Sequence, residues 1–204
     1  MRVGSDVRPR LVEAAIELFA QRGFYGVTYL DLAKRAKTTS PTIFRIFKVK
    51  DQVFEAALDK ASERFPDAAK FMYSVYQKRK TGQPVEDAVT AAVLDWYAQL
   101  SPEVARLLQQ AHFSNNKKWE EKGYLPLYKI IDALAAVLEA ELPKDSNQTS
   151  GIRVAAAALI FALFQFKIAQ TSSATSPEDD SYMPGDDDIA RFVRQSLLNL
   201  PAAA

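Results

Sequence analysis

The stretch TYLDLAKRAKTTSPTIFRIFKVK, residues 28–50, decides how this chain is read. Thr28 stands three residues before Asp31 and ahead of an apolar pair. That spacing lets each side chain bond the other's backbone amide and start a short helix. Lys37 to Ser40 carry turn and cap residues, and Pro41 fits the first turn of a third helix over roughly 40–47, where a missing N–H costs nothing. A fourth helix begins near Lys50, with Val53, Phe54, Ala57, Leu58 and Ala61 on one side. Upstream, Leu11, Ala15 and Leu18 alternate with Val12, Ile16 and Phe19 at steps of three and four. They form the apolar face of a helix over 8–22 that Gly23 stops.

Three short helices in 48 residues, the last two joined by about three residues, match a helix-turn-helix. Leu32, Ala33, Ile43 and Phe47 would pack with the first helix and turn the other side of the third helix outward. That side offers Thr39, Ser40, Pro41, Phe44 and Arg45. Hydroxyls and guanidinium bond base edges, and Pro and Phe touch thymine methyls. Lys48 and Lys50 follow at phosphate height, and the amides opening the fourth helix add an anion-binding terminus.

Charge points the same way. The whole chain is almost neutral, with 26 basic and 25 acidic side chains. Residues 1–50 hold ten basic groups against four acidic ones, whereas the remaining 154 hold 16 against 21. A basic first quarter on an acidic body suits a polyanion-binding head.

The rest of the chain reads as helix throughout, and the fold class is all-α. Pro66 should kink or break the fourth helix; further helices are expected through Phe71 and Val75 to Thr81-Gly82, then over 84–99 and 102–113. Residues 114–123 are polar and unassigned. Helices follow over 124–142, 152–171 and 188–199, separated by loops at 143–151 and 172–187. The domains divide as 1–48, the DNA-binding head, and 49–204, a larger helical body. The most apolar run, Val154 to Phe166, has 13 residues between Arg153 and Lys167 and reads as too short to span a bilayer. No signal peptide is read at the start.

Several chemistries are excluded. With no Cys there is no disulfide framework, thiolate metal site or Cys nucleophile. His112 is the one histidine, which leaves little acid–base equipment; no nucleophile sits beside a base and no phosphate-binding glycine loop appears. The chain is read as no enzyme, with no cofactor and no metal. The acids Glu178, Asp179 and Asp180 read as a solvated loop, and Asp186, Asp187 and Asp188 as favourable charges at a helix start.

Residue by residue, the head resembles the TetR family of bacterial transcriptional regulators. Leu11 to Phe24 is similar to that family's first helix, and Thr28 to Ala36 to its second. Ser40 to Arg45, then Phe47-Lys48 and Lys50-Asp51, resemble the recognition helix and the opening of the next. The resemblance covers about 50 residues. It implies DNA contacts from Thr28, Tyr29, Thr39, Ser40, Pro41, Thr42, Phe44, Arg45, Lys48 and Lys50. It also implies a body that binds an effector and pairs two chains.

There are departures. Lys37 stands where the family has Gly, implying positive φ at about 1 kcal/mol; Phe44, Ile46 and Val49 stand in place of Tyr, His and Ser.

Function follows from head and body together. The expected protein is a cytoplasmic repressor that binds double-stranded DNA at a palindromic operator as a homodimer, nucleoid-associated when bound. A small effector, apolar or aromatic, would release it. Ring content suggests an apolar cavity, with Trp96, His112, Phe113, Tyr128, Phe161 and Phe164 as effector contacts. The alternative for His112 is a partly buried ring bonded to a carbonyl. Leu159, Leu163, Ile189, Phe192 and Val193 are the expected dimer seam. The rival reading is a helical ligand-binding or protein-interaction module whose degenerate head no longer reads DNA.

Overall fold

A computed structural model describes residues 7–141, 148–173 and 184–198. Among these residues it is all α-helix without strands. The helices are α1 (Val7–Arg22), α2 (Tyr29–Arg35), α3 (Ser40–Ile46), α4 (Lys50–Arg64), α5 (Ala68–Lys80), α6 (Val85–Gln99), α7 (Pro102–His112), α8 (Lys117–Glu141), α9 (Gln148–Ser173) and α10 (Asp186–Leu198).

The chain forms two compact units, and they do not part at residue 48/49. One unit runs to Phe65 and takes in Pro102–Leu125; the other holds Pro66–Ser101 and Pro126 onward. The reason lies in α1. Its apolar face is wide enough that α4 and α7 both pack on it, so segments far along the sequence join the head. Leu11, Ala15, Phe19, Phe54, Ala57, Leu58, Leu107 and Leu108 form this core. Rings fill its centre: Phe54 meets Phe19 at 5.0 Å, Phe24 at 5.3 Å and Trp119 at 4.6 Å. Lys118 bonds Glu55 at 2.6 Å and Lys122 bonds Asp59, tying the start of α8 to α4. The Lys118 ammonium holds the Glu55 carboxyl below its ordinary pKa. Gln110 Nε2 donates to Ala20 O at 3.2 Å, joining α7 to α1.

Local signals set the helix ends of the head. Gly23 closes α1 at φ 71°, and Thr28 and Asp31 form the expected reciprocal cap on α2. Lys37 does adopt positive φ, at 52°. The chain reverses there, with Thr38 N donating to Ala33 O at 2.9 Å. Lys37→Gly should therefore raise stability by about 0.5–1 kcal/mol, once the entropy cost of glycine is set against the relieved strain. A lower urea midpoint would show that the turn is unstrained.

In the second unit, α5 packs against α6, and α10 against α6 and α9. Val89, Val93, Ile130, Leu134, Ile160, Leu163 and Val193 form its core. Surface pairs such as Arg79–Glu141 at 2.9 Å and Arg194–Asp87 at 2.5 Å lie at its edges, each worth no more than about 1 kcal/mol.

Three expectations from the sequence are corrected. First, α8 begins at Lys117, not 124, and runs through both Gly123 and Pro126. Asn116 starts it by accepting from Lys118 N through Oδ1 at 3.1 Å. Second, α9 begins at Gln148 inside the expected loop and runs 26 residues. Its segment Gly151–Gln170 is long and apolar enough to cross a membrane, so the 13-residue limit does not stand. The polar residues flanking the apolar run continue the helix, and Lys167 is itself buried, its ammonium 4.2 Å from the Tyr97 ring. Burial pushes the Lys167 pKa down. Third, α10 opens at Asp186 rather than 188, with all three aspartates in its first turn. Ser172 and Ser173 extend α9 into the second expected loop; its 174–183 stretch, with Glu178, Asp179 and Asp180, lies outside the described residues, as does 142–147.

Candidate nucleic-acid interface

Four residues expected beneath the third helix are all buried: Leu32, Ala33, Ile43 and Phe47. They anchor α2 and α3 on α1, and Arg8 lies over the Phe47 ring at 5.0 Å. Arg35 reaches back to Glu17 on α1, and Arg22 to Asp31 at 3.4 Å. This seating leaves Pro41, Phe44, Arg45 and Lys48 exposed on one side, with Ser40 and Thr42 half-buried. Arg45 and Lys48 have no acidic partner among the described residues, so their charges face solvent.

The ten candidate contacts do not share one role. Thr28 and Thr39 spend their hydroxyls on helix starts: Thr28 Oγ1 accepts from Asp31 N at 3.2 Å, and Thr39 Oγ1 from Thr42 N at 3.4 Å. The Thr39 and Thr42 hydroxyls also share a 3.0 Å hydrogen bond. Bonds from Thr28 hold the Asp31 carboxyl below its ordinary pKa. Lys50 turns inward. Its ammonium donates to Val27 O at 3.1 Å and sits 4.4 Å over the Phe24 ring. It ties the start of α4 to the turn before α2, a role without a local signal because the partners lie 23 and 26 positions away.

Tyr29 and Phe44 stack at 4.3 Å with an interplanar angle of 37°. Burial, then the nearby Asp51 carboxylate, raises the Tyr29 pKa, so the phenol stays neutral. Nothing in the sequence pairs these rings across 15 positions. Lys48 N donates to Gln52 Oε1 at 2.8 Å, while α4 has no side-chain cap from Val49.

The expected effector contacts are divided between the two units. His112 and Phe113 belong to the first unit; Trp96, Tyr128, Phe161 and Phe164 belong to the second. Phe113 is 73% exposed. The His112 ring packs on Tyr124 at 3.4 Å, and burial lowers its pKa. Its Nδ1 is buried without a hydrogen bond among the described residues, so the expected carbonyl partner is not found there. A cleft of about 400 Å³ in the second unit is lined by α5 and α6, including Asp67, Lys70, Phe71, Asp95 and Trp96. Of the six effector candidates, Trp96 alone lines it, and its charged walls differ from the apolar cavity expected.

Of the residues expected at the dimer seam, Leu159, Leu163, Ile189 and Val193 are buried within their own unit. Phe192 remains half-buried, its ring 5.9 Å from Phe166. On α9 the exposed residues among those described are Arg153, Val154, Ala158, Gln165 and Gln170.

With that geometry in place, the head has a clear counterpart. Residues 11–57 match the model of the bacterial regulatory proteins of the tetR family. This segment is similar to the tetR-family DNA-binding domain. An HTH-type transcriptional repressor of Mycobacterium tuberculosis is 39% identical over 54 residues, which is 26% of this chain and 29% of that relative. The chain thus matches under a third of the length of these curated relatives.

The fold extends the likeness beyond the tetR-type head. A TetR-like transcriptional regulator from a Rhodococcus species superposes with a TM-score of 0.64, covering 94% of this chain and 93% of that one at 15% identity. FadR of Bacillus subtilis, solved with stearoyl-CoA, superposes at 0.61 over 95% and 98%, at 16% identity. The matched proteins are transcriptional regulators.

Proposed function

We propose that this protein is a DNA-binding transcriptional regulator, acting as a repressor in the cytoplasm. The observation that carries this is the outward side of α3. A buried foundation holds it in place, and Arg45 and Lys48 stand exposed with no acidic partner among the described residues. Arg45 is the base reader and Lys48 the phosphate contact; Pro41, Thr42 and Phe44 complete the surface. Two chains would pair so that their recognition helices enter successive major grooves roughly 34 Å apart, which calls for a palindromic operator.

The second unit is the sensor in this reading. FadR, bound to stearoyl-CoA, supports ligand binding by a fold of this kind. A small apolar or aromatic effector that favours splayed heads would weaken operator binding by roughly 5–150-fold, a coupling of about 1–3 kcal/mol.

Selection of bound duplexes from a random DNA pool at near-physiological salt tests the regulator. A palindromic consensus is expected. No enrichment by folded protein would instead favour the interaction module with a head that no longer reads DNA.

The two lysines should separate in a salt titration. Lys48→Ala should flatten the dependence of affinity on salt by about one phosphate contact per protomer. Lys50→Ala should leave the slope unchanged and cost about 1–2 kcal/mol of stability through the lost bond to Val27 and the Phe24 ring contact. Equal slopes for both variants would overturn this division.

A further inference from the structure

Small side chains keep the cleft between α5 and α6 open. Ser74 on α5 and Ala92 and Ala98 on α6 line it, and about 400 Å³ remains between the two helices, beside Phe71 and Trp96. Those two rings are 3% and 2% exposed, so the floor is apolar and packed. An apolar floor with a few polar groups around it, at this volume, is the ordinary form of a small-molecule site.

The polar groups on the walls differ in what they already bond. Asp67 Oδ1 accepts from Ala69 N at 2.7 Å and caps α5. Asp95 Oδ2 accepts from Lys78 Nζ at 3.2 Å. Gln99 Nε2 donates to Asp95 O at 2.9 Å. The exposed Lys70 ammonium and the half-buried Ser74 hydroxyl, by contrast, have no hydrogen bond or ion pair among the described residues. Positions 70 and 74 are four apart and therefore neighbours on one face of α5. An ammonium offers only donors, and a hydroxyl beside it can add one more. The wall carboxylates are engaged and the two open groups donate. The group that fits them accepts hydrogen bonds and carries negative charge, while the rings beneath suit an apolar plane.

We propose that the α5–α6 cleft binds a small aromatic carboxylate, with its carboxyl group on Lys70 Nζ and Ser74 Oγ and its ring against Phe71 and Trp96. Lys70 is the specificity-determining residue, because it distinguishes an acid from the uncharged amide of the same shape. This goes beyond the apolar effector of the proposed function: the cleft lies wholly within the second unit, recognises a charge, and needs no DNA.

The test titrates the full chain without DNA and follows tryptophan emission and melting temperature. Phenylacetate is compared with phenylacetamide, which lacks the charge, phenethylamine, which reverses it, and acetate, which lacks the ring. Phenylacetate should bind with a Kd on the order of 1 mM, as expected for a ligand of about ten non-hydrogen atoms, and the other three at least about fivefold more weakly. Lys70→Gln keeps the length and removes the charge. It should weaken phenylacetate about fivefold, the factor for one charged hydrogen bond in a half-open site, and leave phenylacetamide unchanged. Ser74→Leu fills the cleft and should abolish binding of both. Melting curves confirm that each variant is folded, and Ser74→Ala, with a loss of about twofold for phenylacetate, serves should Ser74→Leu fail to fold.

Equal affinity for phenylacetate and phenylacetamide overturns the proposal, since no charge is then read. Tighter binding of phenethylamine assigns recognition to Asp67 and Asp95 and overturns it too. So does a phenylacetate affinity unchanged in both the Lys70 and Ser74 variants, which places binding elsewhere, or no saturable binding at several times the expected Kd. None of these outcomes bears on the selection of bound duplexes, so the regulator reading is decided separately.

Discussion

Phe54→Ala should lower the unfolding free energy of the protein by about 3–5 kcal/mol, the range for removing a fully buried aromatic ring from a core that cannot collapse around the space. Phe54 is 1% exposed, and its ring touches those of Phe19, Phe24 and Trp119 at 5.0, 5.3 and 4.6 Å. Those neighbours come from α1, the following turn and α8, so none of them can follow the lost side chain without leaving its own partners. For a chain of this size the melting temperature should fall by roughly 10 °C. Phe54→Leu, which keeps most of the volume, should recover the larger part of that loss. A drop below 1 kcal/mol for Phe54→Ala would mean that the rings are loosely packed. DNA affinity should weaken with it, because Phe24 also supports Lys50, whose ammonium ties the start of α4 to Val27.

Gly123→Ala should be the second large effect, a loss of about 2 kcal/mol despite the better helix propensity of alanine. A Cβ placed on Gly123 would stand 2.5 Å from Leu108 O and 2.7 Å from His112 N. Both are backbone atoms of α7, so relief requires the two helices to separate rather than a side chain to turn. Overpacking of this kind costs typically 1–3 kcal/mol or more, and exchanging Gly for Ala in a helix interior returns about 1. Urea unfolding measures the balance. Unchanged or improved stability would show that α7 and α8 do not approach so closely. Within the same pair of helices, Tyr124 and His112 would report the shift, since their rings lie 3.4 Å apart.

Gly123 also explains why this part of the fold was hard to read. Residues 114–123 are polar and show no helical period, so the expected helix starts only at 124; Gly123 and Pro126, strong local signs of a break, both lie within the helix. Gly123 is there because another backbone passes close by, and close approach leaves no mark in a single sequence. The same limit applies to the dimer seam. Leu159, Leu163, Ile189 and Val193 satisfy any test of apolarity, but only packing shows that their own unit already buries them. It applies again to Lys50, a lysine beside Lys48 with identical chemistry and an opposite direction.

What could be read from residues alone was whatever depends on neighbours a few positions apart. The Thr28–Asp31 cap, the stop at Gly23, the break at Pro66 and the burial of Leu32, Ala33, Ile43 and Phe47 under an outward α3 are all of this kind. Each follows from helix period, cap chemistry or backbone sterics, which act within one or two turns. Tertiary structure decided which apolar faces meet: that α4, α7 and the first turns of α8 join the head, that Tyr29 stacks on Phe44, and that the expected effector residues fall in different units. Those choices turn on contacts between residues tens of positions apart. Hydrophobic burial drives such contacts but has no direction, so the pattern names the faces that must be covered and leaves open what covers them.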